Sequence, residues 1–345
     1  MVWMNKLLLV LMGLGLALVP VHRLDNRLWA VGFVLVMVAA TLIITTRLRE
    51  HKLTLGPKCV YIPLAIIVVS MLLSQGDPAP KLVGIALFAV YVACVNLKGE
   101  LGVLVPAVII GSVSVIACNL WEGARTGGIY SYVNYNLAVG AIAIGTVLVK
   151  SKYQWALVAV ALVGLLFTGA EEALVVLAIL ALAVFIRRDW SRKILLPVGM
   201  MILVLAVCVP MGMFAQLWVP VQVKAGAAVQ GDFGTVVAGR DVAWERALTT
   251  IRPLGHGYEP FYVRYNSIHN VPLRILYELG PTAALAWCFA IGYCLMKTKR
   301  KYIPVAIIAL SLFDHFLHTQ LCVYTFAAIG TAMRNDGISD LVFKR

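Results

Sequence analysis

Residues Gly239–Gly280 read GRDVAWERALTTIRPLGHGYEPFYVRYNSIHNVPLRILYELG and form the one long polar passage of an otherwise apolar chain. The passage holds Arg240, Asp241, Glu245, Arg246, Arg252, His256, Glu259, Arg264, His269, Asn270, Arg274 and Glu278. Helix formers from Arg240 to Ile251 predict a helix, Pro253 breaks it, and Gly255 and Gly257 mark a turn. A second helix is expected to open near Asn270, whose side chain can cap it, with Pro272 in the first turn where a missing N–H costs little. So much internal punctuation belongs to a folded loop. The remaining sequence reads as the scaffold that presents it.

Hydrophobic residues make up 61% of the 345 and charged residues 13%, at a mean hydropathy of +0.91. That is too little polar side chain to cover a soluble globule, so the chain is expected in a bilayer. Its long runs are apolar on every side instead of alternating, which selects helices over barrel strands. The expected fold class is all-α, a polytopic integral membrane protein forming one transmembrane domain over 1–345. Apolar runs fall near 5–21, 28–46, 60–74, 82–97, 101–120, 133–149, 154–168, 173–186, 194–218, 280–296, 302–313 and 320–333, about twelve transmembrane helices. Several fall short of the roughly 20 residues of a straight crossing, so tilted or broken helices are expected. Asp314, His315 and His318 split the last long run in two. Residues 219–280 form the loop between spans nine and ten. The first run follows a single Lys6 and lacks a small-residue cleavage pattern after it, which favours a retained helix over a removed signal peptide.

Charge distribution tests the span count independently. With a cytoplasmic N-terminus, the inner segments carry nineteen of the 29 basic residues and five acidic ones, a net +14. The outer segments then hold ten basic and eleven acidic residues, a net −1. This obeys the positive-inside rule, with both termini cytoplasmic and Gly239–Gly280 on the outer side, the periplasm of a bacterial inner membrane. It also explains the formal charge of +13 without nucleic acid as a partner. The seven cysteines (59, 94, 118, 208, 288, 294 and 322) stand nearly all within apolar runs, without CxxC pairs or ligand-like spacing to histidine. They read as small buried hydrophobes, and no metal is expected.

Four places can carry chemistry. Arg240 opens a predicted helix, where free N–H groups, the positive helix end and a forked guanidinium suit a diphosphate; the plainer alternative pairs it with a lipid headgroup, Glu245 or Asp241. Trp244, four residues on, reads as an interfacial anchor. His269 precedes the cap residue Asn270, where the helix dipole favours the neutral imidazole that a general base needs; the alternative is a loop histidine without a role. Asp314 and His318 interrupt an apolar run, where ionisable groups usually face a cavity or a partner. Asp314 is placed to orient a histidine or hold a loop arginine. Glu171 and Glu172 read as helix-start charges in preference to an acid pair facing a cavity. The outer segments around Glu122 and Arg125, around Glu171 and Glu172, and from Asp314 to His318 can converge on one cavity.

The combination resembles the bacterial O-antigen ligase and O-antigen polymerase family, multispan enzymes acting on lipid-linked glycans at the periplasmic face. RTGGIYSYVNYNLA (Arg125–Ala138) looks like the family's Arg-then-Gly segment. GRDVAWERAL (Gly239–Leu248) with PLGHGY (Pro253–Tyr258) is similar to its Gly-Arg-x-x-x-Trp and Pro-x-Gly-x-Gly passage. SIHNVPLRILYELG (Ser267–Gly280) resembles its His-Asn-x-x-Leu signature, and FDHFLHTQ (Phe313–Gln320) its late Asp-containing turn. The resemblance implies that His269 is the base that deprotonates an acceptor hydroxyl. Arg240 would then hold the diphosphate of an undecaprenyl-diphosphate-linked glycan donor, in an inverting transfer without a metal or cofactor. The acceptor is a sugar of lipid A core or of another lipid-linked growing chain; a protein-glycosylating ligase fits the short loop less well. The sequence departs from the family where FTGAEEALVVL stands in place of a Ser-Arg pair, which makes Arg125 the candidate second phosphate ligand. The reading from a different class is a transporter or flippase, whose polar groups would lie in broken helices near the midplane.

Overall fold

The computed structural model describes residues 2–25, 27–74, 78–131, 134–149, 154–173, 176, 222–224, 226–231, 240–257, 268–313 and 320–334. No strand occurs among the described residues. The helices are α1 (Val2–Leu18), α2 (Leu28–Arg49), α3 (Lys58–Leu73), α4 (Pro78–Asn96), α5 (Leu104–Glu122), α6 (Tyr135–Leu148), α7 (Gln154–Phe167), α8 (Asp241–Thr249), α9 (Val271–Leu279), α10 (Pro281–Lys297), α11 (Tyr302–Phe313) and α12 (Leu321–Met333). The all-α class holds, and ten of the apolar runs coincide with a helix. The runs 173–186 and 194–218 fall almost wholly outside the described residues. Two helices, α2 with 22 residues and α5 with 19, are long and apolar enough to cross a bilayer. Other apolar helices are shorter, at 10–17 residues.

Helices α1 and α2 pack as a hairpin, α3 lies on α10, α4 on α12 and α5 on α7. Glycines set how closely these pairs approach. A Cβ on Gly32 would stand 2.6 Å from the Val19 nitrogen and 2.8 Å from the Gly15 carbonyl oxygen, so the α1 and α2 backbones touch. In the same way Gly330 of α12 lies against the Tyr91 carbonyl of α4. Dispersion between such close backbones sums over many weak contacts, and it needs the missing side chain.

Ten basic residues gather at one end. Arg47 Nε donates to the Asn96 carbonyl at 3.4 Å, and the Asn96 amide donates to Thr54 O at 2.7 Å while accepting from Thr54 N at 3.0 Å. Thr298 Oγ1 donates to Ala332 O at 2.8 Å, and Arg300 pairs with Glu100 at 3.1 Å. These bonds bring together the C-terminal ends of α2, α4, α10 and α12, with the segments leading into α3, α5 and α11. Among the described residues, Arg47, Arg49, Lys52, Lys58, Lys98, Lys297, Lys299, Arg300, Lys301 and Arg334 therefore share an end, and the charge count assigns all of them to one side. The C-terminal ends of α1, α5 and α7 meet at the other end, where His22 N donates to Tyr130 O at 3.0 Å and Thr126 N to Thr168 O at 3.3 Å.

Gly32→Leu should lower the thermal unfolding midpoint of the purified protein, by an amount corresponding to about 1–3 kcal/mol or more of overpacking. Gly102→Ala, where nothing lies within 4 Å of the added carbon, should leave it nearly unchanged. Equal midpoints for the two variants would contradict backbone contact between α1 and α2.

Candidate functional site

At the end opposite the basic cluster, α5 closes with Gly123 in the left-handed region at φ 60°, its N–H donating to Asn119 O at 2.8 Å. The chain then folds over the bundle as a fixed loop. Thr126 Oγ1 accepts from Gly128 N at 3.1 Å, and Ser114 Oγ accepts from Ile129 N at 3.0 Å. Tyr130 is buried and donates to Ala107 O at 3.2 Å, and burial pushes its phenol above the usual range, so it stays a donor. Asn134 caps α6 by accepting from Leu137 N at 3.0 Å. Arg23 pairs with Glu122 across this loop.

Arg125 is held on this platform. Its Nη1 donates to Tyr135 Oη at 3.1 Å, and the guanidinium carbon lies 5.4 Å from the Tyr135 ring centroid, a cation–π contact. Beneath it sits Gly169 at φ 67°, where a Cβ would come within 2.9 Å of Arg125 Cγ. Arg125 Nη2 reaches Glu171 Oε1 at 3.4 Å. The other Glu171 oxygen pairs with Lys224, and Glu172 Oε1 lies 3.7 Å from Arg240 Nη2. Two adjacent carboxylates at the head of a helical turn thus hold three cations from three separate stretches of chain. Glu171 and Glu172 are more than helix-start charges. Arg240 pairs with Glu172, a partner not considered from sequence. Lys224 was not anticipated: it is a single lysine with no motif around it, and only the fold brings it to Glu171.

Arg240 occupies the N-cap position of α8 with its own side chain making no capping bond. The helix ends at Thr249 instead of Ile251. Thr250 Oγ1 donates back to Arg246 O at 2.7 Å, and Pro253 disfavours helical geometry in the residue before it. Ala243 and Ala247 of α8 pack on Ile268 and on Tyr277 of α9, with Trp244 and Leu273 against them. Trp244 is thus partly buried against this small cluster. Its indole N–H is buried and has no hydrogen-bond partner among the described residues.

His269 stands half-buried directly before the α9 cap, as the sequence predicts. Asn270 Oδ1 accepts from Leu273 N at 3.0 Å, and its Nδ2 donates to Leu312 O at 3.3 Å, tying the His269 segment to the end of α11. Pro272 lies in the first turn. Asp314 and His318 fall outside the described residues.

The glycine turn after α8 closes the other end of α9. His256 N donates to Tyr277 O at 2.9 Å and Gly257 N to Glu278 O at 3.0 Å, satisfying carbonyls the helix leaves open at its C-terminus. The His256 ring stacks on Tyr277 with centroids 4.2 Å apart. Gly255 has φ 70°, and a Cβ there would lie 2.1 Å from Glu278 O. Inside α9, Arg274 and Glu278 form a buried pair at 2.8 Å. The His256 and Gly257 amides thus join the turn after α8 to the end of α9, and the Arg274–Glu278 pair lies within α9.

No protein-family model matches the chain. No characterised protein of curated function matches it in sequence. The family resemblance therefore rests on the five short strings themselves.

Gly255→Ala should force the turn off α9, because neither the positive φ nor the carbonyl contact admits a side chain. Hydrogen exchange at the His256 and Gly257 amides should accelerate at least about tenfold, equal to about 1.4 kcal/mol of lost local stability. Unchanged protection of both amides would show that the turn is not docked there.

Proposed function

We propose that the chain is a multispan glycosyltransferase of a bacterial inner membrane, of the O-antigen ligase or polymerase type, with its active site on the periplasmic face. The observation that carries this reading is the convergence of Arg125, Lys224 and Arg240 on Glu171 and Glu172, with Arg240 at the start of α8, the helix that packs on α9 just after His269. Three cations from distant segments around two carboxylates form a site ready to exchange its own anions for a diphosphate. A forked guanidinium binds two phosphate oxygens at once, and Lys224 supplies a point charge where the sequence lacks the family's middle arginine.

The bilayer placement is supported by exposed apolar faces that would be a liability in water: Val31, Val34, Val38 and Leu42 on α2, and Ile109, Ile110, Val113 and Leu120 on α5. The basic end faces the cytoplasm in this reading, by the positive-inside rule. A transporter would collect polar groups in broken helices near the midplane, whereas the described ionisable residues stand towards the two ends of the bundle.

In the proposed reaction His269 accepts the proton of the acceptor sugar hydroxyl as its oxygen attacks the anomeric carbon. The bond from that carbon to the diphosphate oxygen breaks, and the electron pair leaves with undecaprenyl diphosphate. Arg240 and Arg125 stabilise the charge that develops on the leaving group, an electrostatic role filled before the substrate arrives. The reaction inverts the anomeric centre and uses neither metal nor cofactor. The acceptor is a lipid A core sugar or a growing lipid-linked chain.

The test is a transfer assay in detergent with an undecaprenyl-diphosphate glycan and candidate acceptors. His269→Ala should lose roughly 10²–10⁴-fold in rate, the usual contribution of a general base, while still binding the donor. His256→Ala should lose far less. At limiting donor, Arg240→Lys should retain more activity than Arg240→Ala, and both should fall below the unsubstituted protein. Wild-type turnover by a folded His269→Ala protein would remove the histidine from the chemistry.

A further inference from the structure

A groove of about 400 Å³ lies on the outside of α3. Tyr61, Ala65 and Val69, at intervals of four on one face of that helix, form one wall. Pro253 and Leu254 of the turn after α8 form the other, with Leu279 where α9 ends. Among the described residues no charged side chain lines it. The second wall is held in place. A Cβ on Gly280 would stand 2.3 Å from the Pro253 carbonyl oxygen, so Pro253 rests on the joint between α9 and α10. The His256 and Gly257 amides continue that attachment onto the Tyr277 and Glu278 carbonyls.

Both rims are exposed, Val69 at 50% and Leu254 at 64%, so the groove opens sideways onto the apolar surface of α3. Its occupant lies against apolar residues along its length and continues among apolar surroundings. Without a charged lining the groove holds a chain and not a headgroup. Length then selects among chains. Tyr61 and Val69 are eight positions apart, about 12 Å along the helix. One leaflet is about 15 Å deep, half of the hydrocarbon core. A leaflet-spanning acyl chain therefore fills the groove from end to end, whereas an undecaprenyl chain is several times longer and would lie mostly outside it.

We infer that one acyl chain of a membrane phospholipid lies between α3 and the Pro253–Leu254 wall. It covers Val69 and Leu254, which the fold leaves exposed. The wall is continuous with the turn docked on the end of α9, so an occupied groove also steadies that turn: a ligand that binds the docked form alone shifts the opening equilibrium by mass action. The inference rests on the bilayer placement proposed above and not on the transfer chemistry, and its test involves no transfer.

The experiment holds the full chain in a steroid-based detergent, which has no alkyl chain, and adds dioleoylphosphatidylcholine or the short-chain dihexanoylphosphatidylcholine. Hydrogen exchange at the His256 and Gly257 amides should slow about tenfold or more with the long lipid and little with the short one. Ala65→Trp, which fills the groove, should make the exchange independent of added lipid, and Val69→Trp on the exposed rim should do the same. Val34→Trp, on an exposed face of α2, should leave the lipid effect intact. A photoreactive diazirine at the end of one acyl chain should label α3 between Tyr61 and Val69. Equal protection by both lipids, a lipid effect that survives both groove variants, or labelling confined to other helices would overturn the site. Protection by undecaprenyl diphosphate and none by dioleoylphosphatidylcholine would overturn the acyl assignment.

Discussion

A carboxylate withdrawn from water is costly unless a cation meets it, and a partly buried cation carries the same cost. At Glu171 and Glu172 that requirement draws in Arg125 from the loop after α5, Lys224 from beyond α7, and Arg240 from the start of α8. The start of α8 is thereby joined to the bundle, beside the packing of α9 on α10 and α11 that holds the segment carrying His269. Around this junction the other contacts act as supports. Gly169 leaves room for Arg125, Tyr135 orients it, and the Pro253–Gly257 turn closes the far end of α9.

In the proposed reaction, substrate binding at such a junction would be an exchange of anions. The two glutamates hold the cations within reach of one another. A diphosphate brings more charge and more acceptor oxygens than either carboxylate, so the proposed donor competes for positions already formed. The cations need little reorganisation at the moment the leaving group develops charge, and this preorganisation is where electrostatic catalysis gains most.

Much of the scaffold was legible in the sequence because its signals are local. Apolar runs located α1 to α7 and α10 to α12 to within a few residues. Asn270 with Pro272 marked the α9 start, since capping depends on a side chain three residues from its target. Pro253, Gly255 and Gly257 marked the turn. What the sequence hid depends on distance along the chain. Glu172 and Arg240 are 68 positions apart in number, and nothing local distinguishes a glutamate that meets an arginine there from one that merely starts a helix. Lys224 was missed for the same reason. Trp244 shows the same limit: its packing beside Ala243, Ala247 and Tyr277 depends on the fold and has no local signal.

Lys224 gives the most direct test of the central claim, because it joins the cluster through the fold alone and belongs to none of the motif strings. The measurement is the equilibrium affinity of the purified protein for undecaprenyl diphosphate, compared between the unsubstituted chain and Lys224→Gln at one fixed salt concentration. If the three cations form the diphosphate site, the variant should bind about tenfold more weakly, the scale of one lost charge-assisted hydrogen bond. Equal affinity in a folded variant would mean that the cluster at Glu171 and Glu172 holds the loop in place and does not receive the donor.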